Sequence, residues 1–431
     1  MNKASSNLTL QEAGVTLIDC VHKTPAAQES GELYIAIPQL HDGRIETNDA
    51  RRISIEDFEE WTQKAKPKPY DVVLSRRCNP GETAYVPPGL VFALGQNLVL
   101  LRADGKKLFP PFLRWLVRTP QWWEQVKKFI NVGAVFTSLK CADVPNFTLP
   151  IPSLSEQERL ASILSDLDDK IHLNQQINQT LEQMAQAMFK SWFVDFEPVK
   201  AKIAAKKKGR DPERAAMCAL SGKTEAQLDQ LTKAKQKQLA QTAALFPGAM
   251  VESKLGMIPQ GWKIRRLDEV LVLQRGFDLP KSKRKPGPYP VLMASGPSDW
   301  HAEAKVKGPG VVTGRSGKLG EVFLILKDFW PLNTTLWIKE YKQSSPCHAY
   351  FLLKTFSFDT FNSGSAVPTL NRNHIHNLPV TSAPLSLISA FEATAILMFK
   401  KQQRCDHESQ KLSEVRDTLL PKLLSGALRI A

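Results

Sequence analysis

Two stretches decide the fold: Asp71-Val-Val-Leu-Ser-Arg-Arg77 and Gly310-Val-Val-Thr-Gly-Arg-Ser316. Each is a short apolar, β-branched run that ends in a small residue and an arginine. A run of this kind, bounded by turn residues, predicts a buried strand. Each is followed shortly by Gly-Glu, at Gly81-Glu82 and Gly320-Glu321. Farther along, Gly133-Ala-Val-Phe-Thr-Ser-Leu139 parallels Gly364-Ser-Ala-Val-Pro-Thr-Leu370. Then Val144-x-x-Phe147-x-Leu149 parallels Ile375-x-x-Leu378-x-Val380. Matches in the same order read as a duplication. The interiors differ: the first copy has Asp42-Gly43-Arg44 and Trp122-Trp123, the second a basic run around Lys283 and Trp330. Similar frames with different loops suggest two readers of different targets.

A long heptad segment follows each copy. In the first, Leu160, Leu167, Asn174, Leu181 and Met188 fall seven apart, with Leu164, Ile171, Asn178, Ala185 and Trp192 between them. In the second, Phe391, Met398, Cys405, Leu412 and Leu419 repeat, with Ile388, Ala395 and Gln402 interleaved. Sustained a/d spacing predicts helices that pair, and polar Asn in the seam fixes register. A long core helix packed on its own domain is the plainer alternative. The pairing residues are read as Leu160, Leu164, Leu167, Ile171, Leu181, Met188, Phe391, Met398, Leu412 and Leu419. Ser155-x-x-Glu158 reads as a capping box opening the first helix. Pro384 precedes the second helix without a good box, and Pro421 and Gly426 mark its end.

The expected organisation is therefore a recognition domain at 1–152, a helix at 153–198, a basic linker at 199–254, a second domain at 255–383 and a second helix at 384–431. The linker opens with Lys200, Lys202, Lys206, Lys207, Lys208 and Arg210, which read as solvated. The fold class is α/β (α+β): two similar domains separated by two long helices forming an antiparallel coiled coil.

The net charge of +14 over 431 residues favours a polyanionic partner such as nucleic acid. No stretch approaches the ~18 apolar residues of a spanning helix, and no apolar signal core follows Met1, so a cytoplasmic protein with no membrane partner is expected. The six cysteines are too scattered for a metal knuckle.

Catalytic signatures fail on inspection. Gly222-Lys223-Thr224 resembles the end of a phosphate loop, but position 217 is Met217. Pro87-Pro88 lacks the preceding Asn or Asp of an adenine methyltransferase pocket, and His374-x-His376 lacks a third ligand. No catalytic and no metal-ligating residue is assigned. Binding rests instead on charge and placement. Arg76, Arg77, Arg315 and Lys318 sit where a strand meets a loop. Arginine there can reach guanine edges or phosphates; a surface ion pair is the alternative. Lys140, Asn371, Arg372 and Asn373 lie in the second repeated motif, where Asn reads adenine or caps a turn. Lys281, Lys283, Arg284 and Lys285 suit phosphate contacts from a loop.

The chain resembles the specificity subunit of type I restriction–modification systems. The resemblance is carried by Leu149-Pro-Ile-Pro-x-x-x-Glu156-Gln157, by Met188-Phe-Lys-Ser-Trp192-Phe-x-Asp195-Phe-Glu-Pro198, and by Leu255-Gly-x-Ile258-Pro-x-Gly261-Trp262, among others. It implies two target recognition domains, each reading one half of a bipartite asymmetric site in double-stranded DNA. It implies helices that space those domains and dock two modification (methyltransferase) subunits, joined by restriction subunits. No cofactor is implied for this chain; S-adenosylmethionine, ATP and Mg belong to the partners. Two other classes stay open: a diverged fused methyltransferase or nuclease, and a coiled-coil scaffold that binds nucleic acid without sequence preference.

Overall fold

The computed structural model describes residues 6–132, 137–358 and 369–424. The chain divides into two compact units, Met1–Asn174 with His407–Ala431, and Gln175–Asp406. Each holds one head and part of both long helices.

The first head is built on an antiparallel sheet ordered Val15–Asp19, Leu98–Ala103, Val72–Ser75, Thr83–Tyr85. Val72, Val73 and Leu74 are fully buried, as are Leu98, Val99 and Leu100, so both faces of these central strands are covered. That is why they read as unbroken apolar runs. A smaller sheet places Glu32–Ile35 between Arg51–Ile53 and a parallel Ala93–Leu94. Ser6–Thr9 pairs with Thr148–Ile151, which leads into the first long helix.

The second head repeats this order. Its main sheet runs Leu271–Arg275, Thr335–Tyr341, Gly310–Gly314, Val322–Ile325, all antiparallel. Its smaller sheet sets Tyr289–Met293 between Gly296–His301 and a parallel Trp330–Pro331. Lys263–Arg266 pairs with Pro379–Ser382, which leads into the second long helix. The turns agree as well. Gly81 and Gly320 both have positive φ (100° and 85°), a region that glycine enters without strain. The duplication read from a few residues is thus a duplication of topology. The Gly133 and Gly364 segments lie mostly outside the described residues.

The first long helix spans Leu154–Phe193 and the second Leu385–Leu424. Their pairing is antiparallel within each unit. In the first unit Asp168 meets Arg416 at 2.9 Å and Asn174 meets Glu408 at 3.0 Å. In the second, Asn178 meets Asp406 at 2.6 Å and the Phe189 ring lies 5.9 Å from that of Phe391.

The seam differs from strict heptads. Leu160, Leu164, Ile171 and Phe391 are buried as expected. Leu167 and Met188 are only half-buried, and Asp168 and Phe189 take the inward positions beside them. Met398 and Leu419 likewise yield to Phe399 and Leu420, while Leu181 and Leu412 are half-buried. An α-helix drifts by ~20° per heptad, so a seven-residue repeat cannot hold one face without supercoiling. Moreover, each helix end packs into a head. Leu160 and Leu164 join the first head's core, and Phe189, Trp192 and Phe193 join the second's.

The ends differ too. The Ser153 carbonyl accepts the Glu156 and Gln157 amides, so Ser155 lies inside the first turn and forms no capping box with Glu158. Gln157 is fully buried; it accepts from the Phe109 amide and donates to the Lys107 and Pro152 carbonyls. The Pro384 carbonyl opens the second helix, which continues through Pro421 to Leu424.

The basic linker is not simply solvated. It folds into helices Glu197–Lys207, Pro212–Ser221 and Lys233–Ala243. Lys202 is buried and donates to Glu213 at 2.6 Å and to the Phe246 carbonyl at 2.8 Å. Lys206, Lys207, Lys208 and Arg210 stay exposed.

Candidate nucleic-acid interface

In each head one sheet edge gathers the end of the central strand, the start of its neighbour and a returning segment. Arg76 follows the first head's strand Val72–Ser75, and Arg315 the second head's Gly310–Gly314. The Arg76 amide donates to the Asn97 carbonyl at 2.9 Å, and its own carbonyl accepts from Leu139 at 2.9 Å. The Arg315 amide donates to the Thr334 carbonyl at 2.9 Å, and its carbonyl accepts from Leu370 at 2.8 Å. Arg77 bridges Ser138 as Ser316 bridges Thr369. Leu139 and Leu370 are the residues that close the second repeated motif. The two matches found in sequence are therefore hydrogen-bonded neighbours in space.

The side chains at this edge differ in availability. Arg77, Lys140 and Lys318 are exposed, Lys318 with Glu321 at 2.9 Å. Arg76 is half-buried and places Nη2 3.3 Å from His22 Nδ1; Arg315 reaches the Asn333 carbonyl at 3.5 Å. Arg372 and Asn373 are exposed on a short helix, Arg372–His376. Asn371 caps that helix, accepting from the Asn373 amide at 3.0 Å. Lys281, Lys283 and Lys285 are exposed. Arg284 is not free for phosphate: its guanidinium, 11% exposed, pairs with Asp299 at 3.0 Å and ties the basic loop to the strand Gly296–His301. His376 Nε2 accepts the Leu273 amide at 3.0 Å, and burial lowers its pKa, so that histidine serves the fold.

A second electrostatic feature went unseen in the sequence. Asp168, 3% exposed, faces Arg114, Arg44 at 2.6 Å, Arg416 at 2.9 Å and Arg118 at 3.9 Å. Burial pushes its carboxyl pKa up, but Arg114, Arg44 and Arg118 outweigh that and hold it below the usual value. Arg114 stacks 3.7 Å over Tyr85. This hub joins the first head to both long helices. The second head is fastened by aromatic packing of Phe189, Phe193, Phe351 and Phe391 around His348, whose burial drops its pKa to about 3. Heptad scanning treats Asp168 and Arg416 as polar surface, and although Asp168-x-x-Ile171 belongs to the stretch that carries the family resemblance, no sequence signal marked its arginine partners.

Among the described residues one set could offer three metal ligands, Asp19, Cys20 and His22. The Cys20 thiol donates instead to the Gly95 carbonyl at 3.3 Å. Burial and Asp19 push its pKa up to about 11, which disfavours the thiolate a metal needs. No described helix is long and apolar enough to cross a membrane.

Residues 25–183 match the family model of the type I restriction modification DNA specificity domain. The chain is 28% identical over 376 residues to the type I restriction enzyme HindI specificity subunit of Haemophilus influenzae, covering 78% of this chain and 81% of that one. It is 24% identical over 380 residues to the MjaIX specificity subunit of Methanocaldococcus jannaschii, covering 81% and 77%. In fold it is similar to the crystal structure of a type I restriction-modification system S subunit from M. genitalium. That match has a TM-score of 0.62 at 15% identity and covers 98% of this chain and 97% of the other.

Proposed function

We propose that this chain, a type I restriction–modification specificity subunit, reads DNA with two heads of one frame, each taking one half of a bipartite asymmetric site. The observation that carries the reading is the sheet edge found in both heads, where Arg76 and Arg315 hold equivalent backbone bonds beside the exposed Arg77, Lys140 and Lys318. Arg76, Arg77 and Lys140 serve the first half-site. Arg315, Lys318, Asn371, Arg372 and Asn373 serve the second, with Lys281, Lys283 and Lys285 on phosphates. Arg284 holds the loop that carries those lysines. The exposed faces of the long helices dock two modification subunits, which restriction subunits join. Methyl transfer and cleavage, with S-adenosylmethionine, ATP and Mg, belong to those partners, and the complex works in the cytoplasm.

The test is a map of methylated adenines in DNA from cells that carry this chain with its modification partners. A bipartite asymmetric motif is expected. Methyl transfer by the purified chain alone would instead support a fused enzyme. Equal affinity for all duplexes, with a steep salt slope, would support a scaffold.

A further inference from the structure

Registering the two heads on their backbone bonds exposes a pair of positions that sequence comparison does not align. Leu98 lies opposite Ser75, and Thr335 opposite Gly314, so these are equivalent places. One residue on, Val99 faces Asp19 and Leu336 faces Arg275. Asp19 and Arg275 therefore end the same strand in the two copies. The following turn also matches. The Gly95 amide donates to the Ile35 carbonyl as the Leu332 amide donates to that of Leu292, which makes Gln96 and Asn333 equivalent.

Three residues beyond the strand end, each head sets a carboxylate against a basic side chain. In the first, Asp19 Oδ2 lies 3.0 Å from His22 Nε2. In the second, Arg275 Nη2 lies 3.9 Å from Asp278 Oδ1. The carboxylate comes first in one head and last in the other. Each pair also touches the amide position: the His22 ring meets the Gln96 carbonyl at 3.1 Å, and the Asn333 amide donates to Asp278. His22 touches Arg76, and Arg315 touches Asn333, so both clusters lie beside the repeated arginine. In the first head the Gln96–Asn97 turn also lines a concavity of about 350 Å³ with Tyr34, Gln39 and Arg51.

Stability does not account for these pairs. His22 and Arg275 are half exposed and Asp278 is 72% exposed, and exposed pairs contribute only about 0–1 kcal/mol. Recognition does account for them. An arginine fork matches guanine O6 and N7, a carboxylate accepts from a base amino group, and amides match adenine.

We infer that Asp19, His22 and Gln96 in the first head, and Arg275, Asp278 and Asn333 in the second, are further specificity-determining residues beside Arg76 and Arg315. Arg275 selects a guanine in one half-site, and Asp19 selects an exocyclic amino group, cytosine N4 or adenine N6, in the other. The inference rests on the two-headed reading above.

The test uses the complex with its modification subunits, a randomised duplex library and methylation mapping. Two variants are compared with wild type: Arg275→Gln, and Asp19→Arg combined with His22→Asp. Arg275 and His22 are exposed and Asp19 is half-buried, so thermal unfolding verifies that both variants fold. Arg275→Gln should lower discrimination for guanine at one position by roughly ten- to a hundred-fold and leave the other half-site intact. The double variant should bring a guanine preference into the first head's half-site. A bipartite wild-type motif that both variants retain unchanged would overturn this inference alone. So would a uniform loss of binding to every sequence, since phosphate contacts behave that way. A wild type with no bipartite motif would overturn the two-headed reading and this inference with it.

Discussion

Replacing Asp168 with Asn tests whether the arginine hub fastens the first head. The substitution keeps volume and removes the charge. Three of the facing arginines retain another carboxylate: Arg44 keeps Asp169 at 2.6 Å, Arg416 keeps Asp417 at 2.8 Å, and Arg118 keeps Asp42 at 2.7 Å. Arg114, 7% exposed, has Asp168 as its sole ion-pair partner among the described residues. Removing one member of a buried pair costs about 3–5 kcal/mol. The Asn oxygen still accepts a hydrogen bond, and Arg114 keeps its stack on Tyr85, so the lower end, about 3 kcal/mol, is expected. The pH dependence has a defined sign. The folded pKa of Asp168 lies below its unfolded value. Its contribution is therefore complete above the unfolded value, about 3.9, and is lost as pH falls through the folded pKa. Urea unfolding at neutral pH and in acid, with hydrogen exchange resolved over residues 110–118, 154–174 and 407–420, measures both effects. A difference below about 1 kcal/mol at pH 7 would place the hub among ordinary surface pairs and refute the reasoning.

Arg76→Ala and Arg315→Ala should each weaken recognition of one half-site only, read by binding to duplexes altered in one half; equal loss on random DNA would remove the base-reading role. Leu164→Ala should cost about 2–5 kcal/mol, whereas Leu167→Ala, half-buried, should cost clearly less; equal costs in denaturant unfolding would restore the strict heptad seam. Phe391→Ala should cost about 3–5 kcal/mol, with exchange protection lost around residues 185–193 and 347–353; protection lost instead around residues 110–118 would contradict the aromatic fastening. His348 is held neutral by burial, its pKa lowered to about 3 from 6.5, so its contribution is present above 6.5 and drains as pH falls toward 3. The second unit should accordingly begin to lose exchange protection at a higher pH than the first, and the reverse order would be contrary evidence.

The parts legible in the sequence were those written in backbone terms. Val72-Val-Leu and Gly310-Val-Val announce buried strands, and Gly81 and Gly320 announce the same turn. Heptad spacing found two long helices because burial recurs every three or four residues along them. It misplaced Leu167, Met188 and Met398 by one residue because the inward face also answers to a head at each end. The role of Asp168 escaped because it lies one place beyond Leu167 in the heptad count and reads as polar surface unless its partners are known. Those partners, Arg44, Arg114, Arg118 and Arg416, are scattered over the chain. Asp19 and Arg275 escaped for a related reason. Val15-Thr-Leu-Ile-Asp19 and Leu271-Val-Leu-Gln-Arg275 share only apolar character, and strand register alone equates them.

The copies have diverged at both ends of an unchanged frame, and the physics of that frame explains why they could. The sheet order, the parallel pair in each small sheet and the bonds of Arg76 and Arg315 are made by main-chain groups, which are indifferent to side chains. At the proposed reading edge this permits Asp19–His22 in one copy and Arg275–Asp278 in the other. Where head meets helix it permits a buried carboxylate among arginines in one copy and edge-packed rings in the other. Both fastenings exclude water, but they respond to different conditions. The ionic one yields to acid through Asp168, and the ring packing yields at higher pH through the buried, neutral His348 that it encloses. On the proposed reading, a head whose edge side chains can be rewritten without touching its sheet can change the DNA it reads while its place on the helices stays fixed.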